Sequence, residues 1–380
     1  MKKVLMVGPV PPPRGGIASM MEEILNSELS DEYAFDVFSG PFSYPPGLTG
    51  LIGKNIVRTI RYLKFYNKCR KGGYRLMHIH SPGHHFLGTT GYICLARLAG
   101  TKVLLHLHGN DWNLFYVEAS PIKKWLLRLG LFSAARIVVL QRVWENEIRK
   151  LGVRAKVSVL PNMIPDRTGS DATELDETRR SFGLGKDDFL VLSVGVGVVE
   201  RNKGFFDLFK AVPVIAEQAD SVRFLLAGAE EEPGQMALAL EIIERENLGR
   251  WIRVLGDVER EKVCSLMELA SVFLLSSYVE GMPMGVIEAM RSGAAVVATP
   301  VGAIPEMVED RVSGFIISPG APEEIARAIL KLVGDESLRL KLVEAGRKVF
   351  AEKYDLTEGI DTLRSIYREL ENDRKCRARE

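Results

Sequence analysis

Two α/β domains, each a Rossmann-like, doubly wound parallel sheet, are predicted for this sequence from three observations. The chain has 380 residues, and at about 100–200 residues per domain that length suggests two. Short β-branched and apolar runs alternate throughout with longer amphipathic stretches, as in successive βαβ units. Finally, charge divides sharply along the chain. Residues 1–160 hold 22 basic and 10 acidic side chains, net +12, and the remainder holds 28 and 39, net −11.

The strands follow in order. The front half predicts them near Val4–Val7, Phe35–Phe38, Leu76–Ile79, Val103–Leu107, Arg136–Leu140 and Val157–Leu160. The back half predicts them near Leu190–Val194, Val222–Ala227, Ile252–Leu255, Val272–Leu275, Ala295–Ala298 and Gly314–Ile317. All are short and mostly apolar, as parallel strands covered on both faces must be. The stretch from Pro161 to Lys186 is rich in Pro, Asp, Thr and Gly. The division expected is therefore 1–165 for the first domain, 166–186 for a linker and 187–355 for the second. Residues 356–380 read as a C-terminal helix packing back on the first domain.

Composition narrows the class. Hydrophobic residues at 46% and charged residues at 26% exclude disordered and fibrous chains. Cys69, Cys94, Cys264 and Cys376 lie far apart, without metal or redox spacing, and fit a reducing compartment. The apolar run Val4–Val7 stops at Gly8-Pro9, too short for a secretory signal, and no run approaches the ~18 residues of a spanning helix. A cytoplasmic protein is expected, with a peripheral seat on the inner face of the plasma membrane as a further option.

Two loops carry the chemistry. Glu280-Gly281-Met282-Pro283-Met284-Gly285-Val286-Ile287-Glu288-Ala289-Met290 follows a buried strand and opens a helix. Amides at a helix start favour phosphate, Gly281 and Gly285 suit close backbone approach to a ligand, and Glu288 can accept two hydrogen bonds from a ribose diol. Val194-Gly195-Val196-Gly197-Val198-Val199-Glu200-Arg201-Asn202-Lys203-Gly204 also follows a strand, with Lys203 placed to neutralise a diphosphate. Gly195-x-Gly197 begins a dinucleotide fingerprint, but Glu200 stands at its third glycine and would repel a pyrophosphate.

These two motifs, with Gly302-Ala303-Ile304-Pro305-Glu306 after them, resemble the signature of glycosyltransferase family 4 on the GT-B fold. The resemblance covers nearly the whole chain. Pro13-Arg14-Gly15-Gly16-Ile17 resembles the family's N-terminal glycine loop, Val159-Leu160-Pro161-Asn162 its entry to the linker, and Ser276-Ser277-Tyr278-Val279-Glu280-Gly281 the run into its C-terminal signature. It implies two Rossmann-like domains facing across a cleft. It also implies Glu288 on the donor ribose, Glu280 on the transferred sugar and Lys203 on the diphosphate. Amides around Gly15-Gly16 and from Met284 through Gly285 to Val286 would complete the donor site. Asp257, in Leu255-Gly256-Asp257, would pass beside the base, and His108 would touch the donor sugar. The family's arginine after the first C-terminal strand is replaced by Val196 or Val198, so Arg201 is the substitute expected as second diphosphate cation.

All six histidines fall between His78 and His108. His78-Ile79-His80 and His106-Leu107-His108 each set two imidazoles on one strand face. A metal would find Asp111 as the nearby carboxylate, and the resembled family needs none, so no metal is expected. His78 and His106 read as core residues, and His80, His84, His85 and His108 as lining the site. Between Val37 and Asn110, 74 residues carry no acidic side chain. Within them Lys54, Arg58, Arg61, Lys64 and Lys68 recur opposite Ile56, Ile60 and Leu63, followed by Arg70 and Lys71. That pattern is a basic amphipathic helix suited to an anionic membrane surface.

The function expected is a retaining, metal-independent hexosyltransferase without cofactor. A nucleotide diphosphate sugar is its co-substrate, and the N-terminal domain, with Arg14 and the basic helix, binds a lipid-linked or cell-surface polysaccharide acceptor. A nucleotide-sugar sensor without activity and a GT-B sugar epimerase are the alternatives. No nucleic-acid module is visible, so nucleic acid is not an expected partner.

Overall fold

The computed structural model describes residues 1–9, 16–39, 51–82, 86–109, 116, 119–167, 169–195 and 197–373, the side chains of 51–55 excepted. They divide into two compact units. One comprises Met1–Met163 with the segment from Leu356, and the other Ile164–Asp355.

The first unit runs β1 (Lys2–Val7), α1 (Gly16–Leu25), α2 (Leu29–Glu32), β2 (Tyr33–Phe38), α3 (Leu51–Gly72), β3 (Leu76–Ser81), α4 (Phe86–Leu98), β4 (Lys102–Leu107), α5 (Pro121–Ser133), β5 (Arg136–Val139), α6 (Arg142–Lys150) and β6 (Lys156–Val159). Its strands pair in parallel in the order β2-β1-β3-β4-β5-β6. Because side chains alternate across a strand, β1 sends Leu5 and Val7 to one core and Val4 and Met6 to the other. The first core is covered by α3 to α6 through Phe65, Phe86, Leu131 and Ile148. The second is covered by α1 and by the last helix of the chain, Leu356–Asn372. That helix lays Ile360, Leu363, Ile366, Tyr367 and Leu370 on the sheet, an apolar stripe at helical spacing. Polar contacts pin its end, with Lys102 Nζ donating to the Leu370 carbonyl at 2.6 Å and Arg136 pairing with Glu369 at 2.9 Å.

The second unit runs α7 (Ala172–Ser181), β7 (Phe189–Val194), α8 (Phe205–Ala216), β8 (Val222–Ala227), α9 (Gln235–Arg245), β9 (Ile252–Gly256), α10 (Arg260–Leu269), β10 (Val272–Leu275), α11 (Met284–Ser292), β11 (Ala295–Ala298), α12 (Ile304–Met307), β12 (Phe315–Ile316), α13 (Pro322–Gly334) and α14 (Glu336–Lys353). The strand order is β12-β11-β10-β7-β8-β9, again parallel. The first strand of this unit therefore lies beside the fourth. The winding direction reverses between them, and doubly wound sheets bind ligands at such a point, beyond the carboxyl ends of the strands.

Two expectations need correction. The stretch expected as a linker carries α7, capped by Asp171, whose carboxylate accepts from the Glu174 amide at 2.8 Å. Ser265 donates to Glu174, and Glu268 accepts from the amides of Gly169 and Ser170, so the segment is fastened to the second unit. Asp171 and Glu174 form a capping pattern that the surrounding polar composition hid. In α3, the side turned to the core is that of Phe65 and Cys69, while Ile56, Ile60 and Leu63 are exposed. Among the described residues no helix is long and apolar enough to cross a membrane.

Candidate active site

In the second unit the reversal of winding places two loops side by side. After β7 the chain makes a short 3-10 turn, Arg201–Lys203, closed by Gly204 with φ +74°. A side chain at Gly204 would clash with the Ser276 carbonyl oxygen, so both the left-handed backbone and the close approach require glycine. Ser276 Oγ donates back to the carbonyls of Lys203 and Gly204, and the Tyr278 amide donates to Asn202 at 2.8 Å. The β7 and β10 loops are thereby stitched together by the Ser276 hydroxyl and main-chain groups.

The stitching brings Lys203 to Glu280. Their Nζ and Oε1 lie 2.8 Å apart, and Ser277 Oγ donates to the same oxygen at 2.7 Å. Behind them Thr299 donates to the Ser277 carbonyl at 2.6 Å, and the Ala303 amide donates to Gly281 at 2.8 Å. The Gly302-Ala303 loop thus braces the Glu280 loop from the next strand. Lys203, Ser277 and Glu280 line a cavity with Ser193, Val194 and Gly195 from the end of β7.

Glu280 leads directly into α11, whose first turn is Met284, Gly285 and Val286. Gly285 has a packing reason beside the one expected. A side chain there would meet the Phe273 ring at 2.7 Å, so the glycine also serves helix-on-strand packing. Glu288 lies one turn further on, half-buried. Burial pushes its carboxyl above the usual range, against the opposing charges of Arg291 and Arg260.

The other expected residues fall elsewhere. Arg201 stands over the Phe206 ring at 5.6 Å and lines a separate open cavity of about 950 Å³ with Asp207, Lys210 and Tyr278. Lys203, two residues further in the same turn, lines the cavity of Glu280 instead. Asp257 is exposed after the edge strand β9. Gly16 opens α1, while Arg14, Gly15, His84, His85 and Asp111 lie outside the described residues. Arg58 and Lys64 are exposed and Arg61 half-buried on α3, and the Lys54 side chain is outside the described set. Sequence reasoning missed Glu200. Its buried carboxylate accepts from the amides of Glu231 at 3.0 Å and Glu232 at 2.9 Å, tying the β7 loop to the β8 loop. The signal was its place between Gly197 and Lys203, read only as an obstacle to pyrophosphate.

In the first unit, β3 and β4 pair with His80 opposite His106. The rings form a ladder. His78 Nδ1 bonds to the Tyr367 hydroxyl at 2.8 Å, His78 Nε2 to His106 Nδ1 at 3.3 Å, and His80 Nδ1 to His108 Nε2 at 2.8 Å. His78 and His106 are buried as expected of core residues; His80, expected to line the site, is fully buried as well, and His108 is half-buried. Ligand atoms of His78, His80 and His106 lie within 4.8 Å of one another, close enough for a metal. Both nitrogens of His78 are nevertheless taken up by Tyr367 and His106. Burial holds all four imidazoles well below their ordinary pKa, His108 at about 3.

Comparison with known proteins agrees with this geometry. Residues 174–349 match the model of glycosyl transferases group 1, and residues 33–163 match the glycosyl transferase 4-like domain. The chain is 31% identical over 282 residues to the glycosyltransferase MJ1178 of Methanocaldococcus jannaschii, covering 73% of this chain and 72% of that one. It is 23% identical over 322 residues to the UDP-Gal:alpha-D-GlcNAc-diphosphoundecaprenol alpha-1,3-galactosyltransferase of Escherichia coli, covering 80% and 78%. Anabaena HepE in complex with UDP superposes with a TM-score of 0.77 at 18% identity, covering 97% of this chain and all of that one. The fold is GT-B. With both units matched and the Lys203–Glu280 pair seated where the second sheet reverses its winding, the chain belongs to the group 1, family 4 type glycosyltransferases, enzymes that take their sugar from a nucleotide sugar.

Proposed function

We propose that this enzyme transfers a hexose with retention of anomeric configuration and without a metal, to a lipid-linked or cell-surface glycan acceptor. The observation that carries the donor half is the Lys203–Ser277–Glu280 cluster beside the first turn of α11. The charge that develops in the reaction is that of the departing diphosphate. A lysine ammonium and helix-start amides meet that charge with fixed donors, which need no reorganisation as it forms. Glu280 is held by Lys203 and Ser277, an arrangement suited to binding sugar hydroxyls rather than attacking carbon. Displacement on one face, with the leaving phosphate accepting the acceptor proton, fits these groups. Glu288 would receive the donor ribose.

A thermal-shift panel of UDP-, GDP- and ADP-sugars in EDTA tests the donor half. One nucleotide class, at about 100 times its dissociation constant, should add about 2.7 kcal/mol of stability. Shifts that vanish in EDTA would overturn metal independence, and an inverted product anomer would overturn retention.

The acceptor half is supported by the named acceptor of the Escherichia coli relative and by the acid-free stretch Val37 to Asn110. Near an anionic bilayer each cation is worth about 1 kcal/mol. Changing Lys54, Arg58, Arg61 and Lys64 together to Glu should therefore lower binding to phosphatidylglycerol vesicles at least tenfold. Equal binding by wild type and variant would remove the membrane from the reading.

A further inference from the structure

The helical layer over the first core of the N-terminal unit has an outer surface unlike that of an ordinary enzyme. On α5 the inward side chains are Leu127 and Leu131, both fully buried. On the opposite side Ile122, Trp125, Leu129 and Phe132 stand 73%, 62%, 37% and 42% exposed. Their spacing of three, four and three residues keeps them in one stripe along the helix. On α3, Ile56, Ile60 and Leu63 form a second exposed stripe, opposite the buried Phe65 and Cys69. Both helices pack on α4 over the same core, so both stripes look outward from one layer.

Scattered exposed apolar residues are common, but two aligned stripes on one layer are not. Neither helix contains an acidic residue. Lys123 and Arg128 flank the α5 stripe, Arg128 standing over the Phe132 ring at 5.6 Å, and Lys64, Arg70 and Lys71 lie along α3.

We propose that the outer faces of α5 and α3 are a bilayer-insertion surface for an anionic leaflet. The proposal deepens the reading of a membrane-surface acceptor and rests on it. Apolar side chains enter the acyl boundary, the exposed Trp125 settles at headgroup depth, and the lysine and arginine stems run along the stripes to bring their charges to lipid phosphates. A second copy of the chain is a poor occupant. A two-fold interface made of this surface would set cations against cations with no carboxylate from either helix between them.

The test is co-sedimentation with vesicles of phosphatidylcholine, with and without phosphatidylglycerol. It uses wild type and an Ile122→Ser/Trp125→Ser/Leu129→Ser variant, whose exposed positions leave the core intact. Wild type should partition at least tenfold better onto the anionic vesicles, and the variant should lose at least tenfold. Brominated phosphatidylglycerol should quench a tryptophan signal that Trp125→Phe removes. Undiminished binding of the triple variant overturns the surface, as does quenching that survives Trp125→Phe. An α5-dependent dimer without vesicle binding assigns it to a second copy and also overturns it. If vesicle binding needs α5 but sugar is transferred only to water-soluble glycans, the surface stands and the lipid-linked acceptor falls. If an enzyme indifferent to α5 transfers sugar to a lipid-linked acceptor, the acceptor stands and the surface falls.

Discussion

Replacing Lys203 by alanine is expected to lower kcat/KM for the nucleotide sugar by about 10²–10³-fold, most of it in kcat. That is the usual loss when one preorganised donor is removed from a developing negative charge. Lys203 is a quarter exposed and its partner Glu280 about a tenth, so water cannot replace the ammonium freely. The change also strands the Glu280 carboxylate on the single hydroxyl of Ser277. Losing a bond to a charged group costs about 1.5–3 kcal/mol, so a lower Tm should accompany the lower rate. Lys203→Arg keeps the charge but carries it on a planar fork, which the single-oxygen contact to Glu280 does not match. Partial recovery of kcat is expected. Steady-state kinetics at saturating acceptor decide the matter. A Lys203→Ala enzyme within threefold of wild type would sink the assignment.

The second large effect is acid lability of the N-terminal unit. His78, His80, His106 and His108 all have folded pKa values pushed down, first by burial and, for the first three, then by one another. In the unfolded chain they titrate near 6.5. Above that pH both states are neutral and the histidines contribute no pH dependence. As pH falls below about 6.5, the unfolded chain takes up protons that the folded unit refuses, so stability declines with falling pH. Each such site steepens the decline and the four act together, so the loss between pH 7.5 and 5.5 is on the order of several kcal/mol. Domains typically have only about 5–15 kcal/mol in hand. The rings bond to Tyr367 and to each other, partners that offer an imidazolium no negative charge. Urea unfolding followed across this range should show the midpoint falling steeply below pH 6.5. A flat midpoint would overturn it.

Much of this architecture was legible in the residues alone. Apolar runs bounded by turn residues marked all twelve described strands, because a parallel strand covered on both faces leaves little choice but Val, Ile, Leu and Ala. Lys203, Glu280 and Glu288 stood out because loops after strands with helix-opening glycines are where such sheets bind anions. Expectations failed where a residue's meaning depended on what lay across from it. Glu200, read as an obstacle to pyrophosphate, answers to the amides of Glu231 and Glu232, and Gly285 also packs on Phe273. Those neighbours are remote in sequence, and no local pattern announces them.

Fold class, strand positions and the charged residues of the donor loops are thus written along the chain, since each depends on composition and periodicity over a few consecutive positions. The pairing of Lys203 with Glu280, while Arg201 turns to Phe206, emerges from the packed molecule. So do the burial of His80 and the outward turn of Ile56 and Trp125. Two-sided burial marks the inner strands in their own residues. Which helix face is covered, and which loops meet, depends on strand order, and no residue carries that order in its own identity.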